Sequence, residues 1–179
     1  SQHLSPTKAS HVKKDLGKHL VNERDMILNG GSSNIGVEST VIDFTSCYPT
    51  VLRPGGLNIN IINKDVKVTY IDNKSNNSKP ISPGLFKKHY SPNASLRLNS
   101  KFPLKGEVWL GFGKDPKNIE NFIKMNLSLT GDLNEAAANL FTMLRLLDKK
   151  HIKNIAIQSI PNKEIGIAIN DRLNRGASN

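Results

Sequence analysis

A strand that opens directly after a glycine turn is a frequent position for side chains that bind a ligand. Residues 36–40 read Gly-Val-Glu-Ser-Thr and open a predicted strand in this way. Because side chains alternate along a strand, Ser39 shares a face with Val41, and Thr40 lies on the opposite face. If Val41 points into the core, one of the two hydroxyls is structural. The segment is either an ordinary strand or the edge of a ligand site.

Arg53 stands at the end of a second predicted strand, directly before Pro54 and Gly55. A guanidinium in such a place is either a surface charge or a planar fork that grips phosphate or carboxylate. The tight turn that follows the arginine fixes the direction of its side chain. This fixed direction favours the binding interpretation.

Ser5, Pro6 and Thr7 form a third candidate anion site. Serine before proline is typical of a helix start, in which Ser5 caps the helix and Pro6 occupies its first turn. The same geometry points backbone N–H groups and a hydroxyl at an anion such as phosphate. The sequence leaves both interpretations, helix cap and phosphate site, open.

Lys88, His89 and Tyr90 follow a stretch that cannot join a core. Residues 73–79 contain no apolar side chain, which predicts a linker. Beyond it, residues 83–90 read Pro-Gly-Leu-Phe-Lys-Lys-His-Tyr. A pair of lysines usually forms a solvated face, but a hinged basic and aromatic segment is also typical of a lid that closes over a nucleotide.

Other chemistries lack the residues that they need. No carboxylate or cysteine set accompanies the histidines at the spacing of a metal site, and the sequence shows no nucleophile elbow. The single cysteine, Cys47, excludes internal disulfides and is typical of a reducing, cytoplasmic location. Apolar runs are far shorter than the roughly 20 residues of a membrane-spanning helix. We therefore expect no catalytic nucleophile, no metal ligand and no membrane partner.

The net charge of +10 favours a polyanionic partner such as nucleic acid. The lysines, however, are scattered along the chain instead of forming one cluster. Binding of tRNA or double-stranded RNA therefore stays open.

Two groups of predicted elements must position the candidate side chains. The first group comprises a short amphipathic helix after Ser5 that Gly17 ends, an apolar strand end at residues 26–28, and a strand pair at 37–44 and 50–53. Residues 59–71 add one element whose type, helix or strand, stays open.

The second group comprises a strand at 106–113, a helix that Asp132 and Glu135 begin, a strand at 152–158 and a helix at 165–175. This order favours a parallel, Rossmann-like sheet. The core-facing stripe of the first helix is Leu133, Ala136, Ala137, Leu140, Phe141, Leu144 and Leu147.

In this order the segments resemble the threonylcarbamoyl-AMP synthase family, whose catalytic part is a YrdC-like domain. The matching motifs are Ser-Pro-Thr at 5–7, Ile-Leu-Asn-Gly-Gly at 27–31, Gly-Val-Glu-Ser-Thr at 36–40, Leu-Arg-Pro-Gly at 52–55, and the Pro-Gly to His-Tyr-Ser-Pro stretch at 83–92. Residues 166–177 also resemble part of the family's second domain. The resemblance covers essentially the whole chain.

The resemblance implies an α/β fold in three parts. These are the C-terminal portion of a YrdC-like twisted-sheet domain at 1–71, a linker or lid at 72–98, and a small Rossmann-like parallel domain at 99–179. The family condenses L-threonine, bicarbonate and ATP, with Mg²⁺, into threonylcarbamoyl-AMP and pyrophosphate. A threonylcarbamoyl transferase complex then passes the group to adenosine 37 of tRNA.

The resemblance also implies site residues. Ser39 would bind threonine, and the ATP-binding residues would be Ser5, Arg53, Lys88, His89 and Tyr90. Gln2 and Asn29 replace the family's usual glycine and aspartate, and the family's basic Lys-x-Arg motif is not in this sequence. We therefore expect the chain to start inside the catalytic domain and to be inactive alone. The alternative is a non-catalytic remnant that binds nucleotide or RNA.

Overall fold

The computed structural model describes residues 4–21, 23–70 and 90–178. Its helices are α1 (Ala9–Leu16), α2 (Ile59–Asp65), α3 (Leu133–Leu147) and α4 (Gly166–Ala177), and a 3₁₀ turn (Gly17–His19) follows α1. Its strands are β1 (Val41–Asp43), β2 (Thr50–Arg53), β3 (Thr69–Tyr70), β4 (Ser95–Ser100), β5 (Glu107–Gly111), β6 (Lys124–Asn126) and β7 (Asn154–Gln158). This mixed α/β architecture confirms the predicted fold class. No helix in the described ranges is long and apolar enough to cross a membrane.

The smaller, three-stranded sheet has the order β1-β2-β3 and carries Arg53 at one strand end. β1 and β2 are antiparallel, with Val41 opposite Arg53, and β3 pairs with β2 in parallel. The predicted strand pair is confirmed, although β1 starts later than predicted. The open element after it contains both a helix and a strand: Asn58 caps α2 by accepting a hydrogen bond from the Asn60 amide, and β3 follows.

Two local predictions in the first part of the chain are wrong. Residues 26–28 form no strand, and Met26 and Leu28 are 82% and 81% exposed. A strand needs a neighbour for its backbone groups, and no described strand pairs with this segment. Ser5 does not cap α1, because the helix begins only at Ala9 and the Ser5 hydroxyl binds a distant carboxylate. The predicted end of α1 at Gly17 is confirmed.

The larger, four-stranded sheet has the order β4-β7-β5-β6 and is parallel throughout, as predicted. The predicted strands β5 and β7 occupy its centre, whereas the edge strands β4 and β6 were not anticipated. β4 begins at Ser95, inside the range 72–98 predicted as linker. Its backbone pairs with β7, and this pairing gives the segment partners that a linker lacks. The division of the chain into three parts stays a prediction.

Helix α3 supplies much of the core and also carries the first part of the chain. Asp132 caps it as predicted, since its Oδ1 accepts a hydrogen bond from the Glu135 amide at 2.7 Å. Every residue of the predicted apolar stripe is buried. On the same helix, Arg145 forms an ion pair with Asp15 at 2.6 Å and donates a hydrogen bond to the Leu4 carbonyl. The segment before β1 is therefore fastened to α3.

We expect residues 106–179 to be the more stable unit of the chain. Most of the buried apolar side chains lie on β5, β7, α3 and α4, and few lie in residues 4–70. Local opening, and hence cleavage, is favoured where few apolar contacts hold the backbone. Limited proteolysis followed by mass spectrometry should leave a C-terminal fragment that contains both α3 and α4. An intact fragment 1–71 with a degraded remainder would contradict this.

Candidate functional site

Glu38 lies at the centre of the candidate site and joins two distant segments. The Ser5 hydroxyl donates a hydrogen bond to Glu38 Oε1 at 2.5 Å, and Arg172 Nε on α4 donates one to Glu38 Oε2 at 2.8 Å. The glutamate side chain is 26% exposed, whereas the arginine side chain is 1% exposed. The segment 36–40 is thus held from one side by residue 5 and from the other by the last helix.

The pKa of Glu38 lies below its ordinary value. Burial alone would raise this pKa, because it disfavours the charged form, but the Arg172 charge and the hydrogen bonds from Ser5 and Arg172 outweigh burial. Glu38 is therefore ionised at neutral pH. Both of its carboxylate oxygens act as acceptors in the network.

Arg53 and Ser39 meet beside this pair. Arg53 Nη2 donates to the Ser39 hydroxyl at 3.3 Å and to the Ser39 carbonyl at 3.1 Å. The Arg53 side chain also forms a hydrogen bond with Tyr90. Burial raises the pKa of the Tyr90 phenol, and the nearby Arg172 charge offsets this only in part, so the phenol is neutral.

The alternation of Ser39 and Thr40 separates their roles. The Thr40 hydroxyl donates to the Leu57 carbonyl at 2.9 Å, which makes it the structural member of the pair. A second backbone bond, from the Gly56 amide to the Glu38 carbonyl at 2.9 Å, ties the turn after Arg53 to the same segment. The hydroxyl of Ser39, in contrast, lies next to the Arg53 guanidinium.

Tyr90 is a buried anchor at the start of the second part of the chain. Its ring lies 5.2 Å below the Arg172 guanidinium and 5.6 Å from the ring of Phe141 on α3. Cation–π and tilted aromatic contacts of this kind add to the burial of the ring. Tyr90 therefore fixes one point within the predicted linker or lid at 72–98, while Lys88 and His89 lie outside the described residues.

The backbone at Thr7 offers little to a phosphate. The Thr7 N–H donates to His11 Nδ1 at 3.2 Å, and burial, together with the Arg145 charge, lowers the pKa of that histidine. Pro6 has no N–H to give. Of the residues 5–7, Ser5 is the one whose side chain joins the network around Glu38.

The sequence analysis missed Glu38 and Arg172 as parts of the site. Glu38 belongs to the motif that contains Ser39, but its role became visible only through its partners. Arg172 carried a signal of its own, since it falls at helical spacing among the buried residues Ile169, Leu173 and Gly176 of α4. A charged residue inside an apolar stripe needs a buried partner.

The described residues do not build a metal centre. They contain no group of three or more His, Cys, Asp or Glu side chains that could hold a metal ion. Both carboxylate oxygens of Glu38 are already bound, by Ser5 and by Arg172. The network can hold and orient a polar ligand beside Ser39 and Arg53.

Comparisons with known proteins agree with this architecture. A family model described as "Threonylcarbamoyl-AMP synthase, C-terminal domain" matches residues 56–178. The chain is 31% identical over 189 residues to threonylcarbamoyl-AMP synthase of Bacillus subtilis (strain 168), an alignment that covers 97% of this chain and 53% of the relative. It is 29% identical over 192 residues to the protein of that name from Pyrococcus abyssi, with 97% of this chain and 54% of the relative covered.

A solved structure is also similar. The crystal structure of P. abyssi Sua5 complexed with L-threonine superposes with a TM-score of 0.81 at 29% identity, and the match covers 99% of this chain and 55% of that one. The chain spans about half the length of the curated relatives it matches. The matched domain, the ordered motifs and the shared fold show that this chain belongs to the threonylcarbamoyl-AMP synthase family.

Proposed function

We propose that this chain contributes one wall of the site of an L-threonylcarbamoyladenylate synthase. The observation that carries the proposal is a pair of adjoining hydrogen-bonded groups, Ser5–Glu38–Arg172 and Ser39–Arg53–Tyr90, which the cation–π contact between Arg172 and Tyr90 joins. It occurs in a chain whose relatives are named for this activity, and the solved P. abyssi relative binds L-threonine.

The proposed reaction needs positioning more than a nucleophilic side chain. The amine of L-threonine takes up a bicarbonate-derived carboxyl group as a carbamate. A carbamate oxygen then attacks the α-phosphorus of ATP, and pyrophosphate leaves. The protein has to hold two anions close together and neutralise the charge that develops at phosphorus. Arg53, fixed by Ser39 and Tyr90, offers positive charge at that place.

We assign the roles by position in the motifs. Ser39 binds threonine, Ser5 and Arg53 bind ATP, and Lys88, His89 and Tyr90 belong to a lid over the site. A second solved P. abyssi Sua5 structure, with a TM-score of 0.78, is that of a variant in which adjacent histidine and tyrosine residues are replaced by alanine. This chain contains the adjacent pair His89 and Tyr90.

Mg²⁺ enters this proposal with ATP and not as a resident ion. Magnesium in nucleotide sites is usually held by the phosphates, water and one or two carboxylates. The chain's own contribution would be the charge balance around the phosphates, supplied by Arg53. The product would pass to a threonylcarbamoyl transferase complex that modifies adenosine 37 of tRNA to N6-threonylcarbamoyladenosine in the cytoplasm.

Threonine-dependent pyrophosphate release from ATP, with bicarbonate and Mg²⁺ present, tests the proposal. We would assay this chain alone and a fusion in which the first half of the B. subtilis relative precedes Ser1. We expect turnover by the fusion and none by the bare chain. In the fusion, Ser39→Ala should raise the KM for threonine roughly 10- to 100-fold, as expected for one lost hydrogen bond to a charged ligand.

Ser46→Ala is the matched control for the Ser39 variant. Its hydroxyl donates to the Tyr48 carbonyl within an exposed turn, away from the network. We expect wild-type kinetics from it. Pyrophosphate release that does not depend on threonine would refute the proposal. Binding of nucleotide or RNA by the chain, without turnover by the fusion, would support the non-catalytic remnant instead.

A further inference from the structure

We propose that Arg172 on α4 is a positioning residue that fixes the relative positions of segment 36–40, the turn after Arg53 and Tyr90 in the candidate site. This inference rests on the proposed function and deepens it, because it makes the last helix of the second sheet part of the site. The hydrogen bonds of the Arg172 side chain go to Glu38, the Pro54 carbonyl and Asp171, and its guanidinium lies over the Tyr90 ring. Arg172 acts through Glu38, through the turn after Arg53, and through Tyr90.

The Arg172 guanidinium contacts three separate segments of the chain. Nε donates to Glu38 Oε2 at 2.8 Å, Nη1 donates to the Pro54 carbonyl at 2.8 Å, and the plane of the group lies over the Tyr90 ring at 5.2 Å. Nη1 also binds Asp171 Oδ2 at 2.8 Å. A planar fork can serve several acceptors at fixed angles, which a lysine ammonium on a flexible stem cannot do.

Ser5 and Arg53 lie one step beyond these contacts, and Ser39 lies two steps beyond them. Arg172 binds one carboxylate oxygen of Glu38, and the other oxygen accepts a hydrogen bond from the Ser5 hydroxyl at 2.5 Å. Pro54 is bonded to Arg53 in the chain, and Tyr90 is hydrogen-bonded to the Arg53 side chain. Arg53 in turn holds the Ser39 hydroxyl. Displacement of Arg172 would therefore move the threonine side and the ATP side of the site together.

Arg172 differs in burial and in partners from an arginine that only holds two parts of the chain together. The Arg172 side chain is 1% exposed, and its Nη2 has no hydrogen-bond partner among the described residues. A buried charge is tolerated where it is paired, and a buried N–H without a partner is unfavourable. Fastening alone is achieved elsewhere by Arg145, which binds Asp15 and the Leu4 carbonyl, away from Ser39 and Arg53.

Hydrogen exchange of the Gly56 amide tests these relative positions directly and needs no ligand. It donates to the Glu38 carbonyl, so its hydrogen exchange measures whether the turn after Arg53 stays on segment 36–40. We would measure exchange by NMR for the wild type, Arg172→Met, Arg172→Lys and Glu38→Gln. Arg175→Met is the matched control, because Arg175 lies on the same helix and shares the partner Asp171 but does not contact Glu38.

We expect the Gly56 protection factor to fall by at least about tenfold in Arg172→Met and in Arg172→Lys, with protection of the β5 and β7 amides unchanged. Arg175→Met should leave Gly56 at its wild-type value. If Arg172→Met unfolds the second sheet, Arg172→Lys and Glu38→Gln decide the question. Wild-type Gly56 protection in both would overturn the inference.

The pH dependence of Gly56 protection is a second test, because an arginine that only stabilises the fold would not make this protection depend on the ionisation of Glu38. The Arg172 charge and the hydrogen bonds from Ser5 and Arg172 hold the pKa of Glu38 below its ordinary value, so the ion pair is complete at neutral pH and is lost as the pH falls through that lowered pKa. Protection of Gly56, corrected for intrinsic exchange, should fall over this range in the wild type. The step should be missing in Glu38→Gln, and its persistence there would contradict the inference.

Kinetics of the fusion test whether the position of these segments affects the reaction. We expect Arg172→Lys to lower kcat by about 30-fold or more while the KM values for threonine and ATP change less than about threefold, because misplacement weakens the reacting geometry more than ground-state binding. An unchanged kcat would overturn the positioning role. A wild-type fusion without turnover would refute the proposed function, while the exchange data would still decide the role of Arg172.

Discussion

Gly55→Ala should abolish the candidate site while leaving the second sheet folded. A Cβ at residue 55 would lie 2.2 Å from the carbonyl carbon of Ser39, 2.3 Å from the Thr40 nitrogen and 2.4 Å from the Glu38 oxygen. All three are backbone atoms, so no side-chain rotation relieves the clash. The turn after Arg53 has to move away from segment 36–40.

This displacement breaks the contacts on which the proposed function depends. The hydrogen bond from the Gly56 amide to the Glu38 carbonyl is lost, and the Arg53 guanidinium no longer reaches Ser39. Overpacking of this kind costs about 1–3 kcal/mol or more. We expect the affinity for L-threonine, measured by isothermal titration calorimetry on the fusion, to fall by roughly 100-fold or more, as when a placed binding group is displaced.

Gly30→Ala is the control for this substitution. A Cβ at residue 30 meets no atom within 4 Å, so the added methyl group has room. We expect wild-type threonine affinity and an unchanged melting temperature. Wild-type affinity in Gly55→Ala would mean that the turn and the segment 36–40 are not held together in solution as they are in the structure.

The centre of the second sheet was predictable because burial leaves a pattern in the sequence. Strands β5 and β7 lie between neighbours and are mostly buried; β5 reads as an apolar run, and residues 152–158 around β7 read as a strand from their alternation. The apolar stripe of α3 likewise follows the helical period throughout. The edge strands β4 and β6 have only one neighbour each, and their residues are mostly partly exposed. Such strands carry no continuous apolar signal.

The site was predictable only as far as its local motifs. Ser39 and Arg53 stand beside glycine turns, and this position alone suggested a ligand-binding role. Glu38 and Arg172, in contrast, are 134 positions apart in the sequence, and their pairing depends on how the last helix packs. Local patterns describe neighbours along the chain, whereas this ion pair arises from the tertiary fold.

Phe141→Ala should cause a large loss of stability. Phe141 is fully buried on α3, within the main core cluster, and its ring packs at 5.6 Å from Tyr90. Removal of a buried phenylalanine side chain costs about 3–5 kcal/mol, since the transfer free energy is lost and a cavity remains. This is a large part of the ~5–15 kcal/mol by which native domains are stable.

The same substitution should loosen Tyr90 before it unfolds the sheet. The phenol would lose its aromatic neighbour but keep the Arg172 cation above its ring, so this point of the predicted lid becomes mobile while β5 and β7 stay protected. Urea unfolding followed by tryptophan fluorescence of Trp109 measures the free energy of unfolding. Leu146→Ala, on the exposed side of the same helix, should change it by less than about 0.5 kcal/mol. A loss below about 1 kcal/mol in Phe141→Ala would show that α3 does not hold the core in this way.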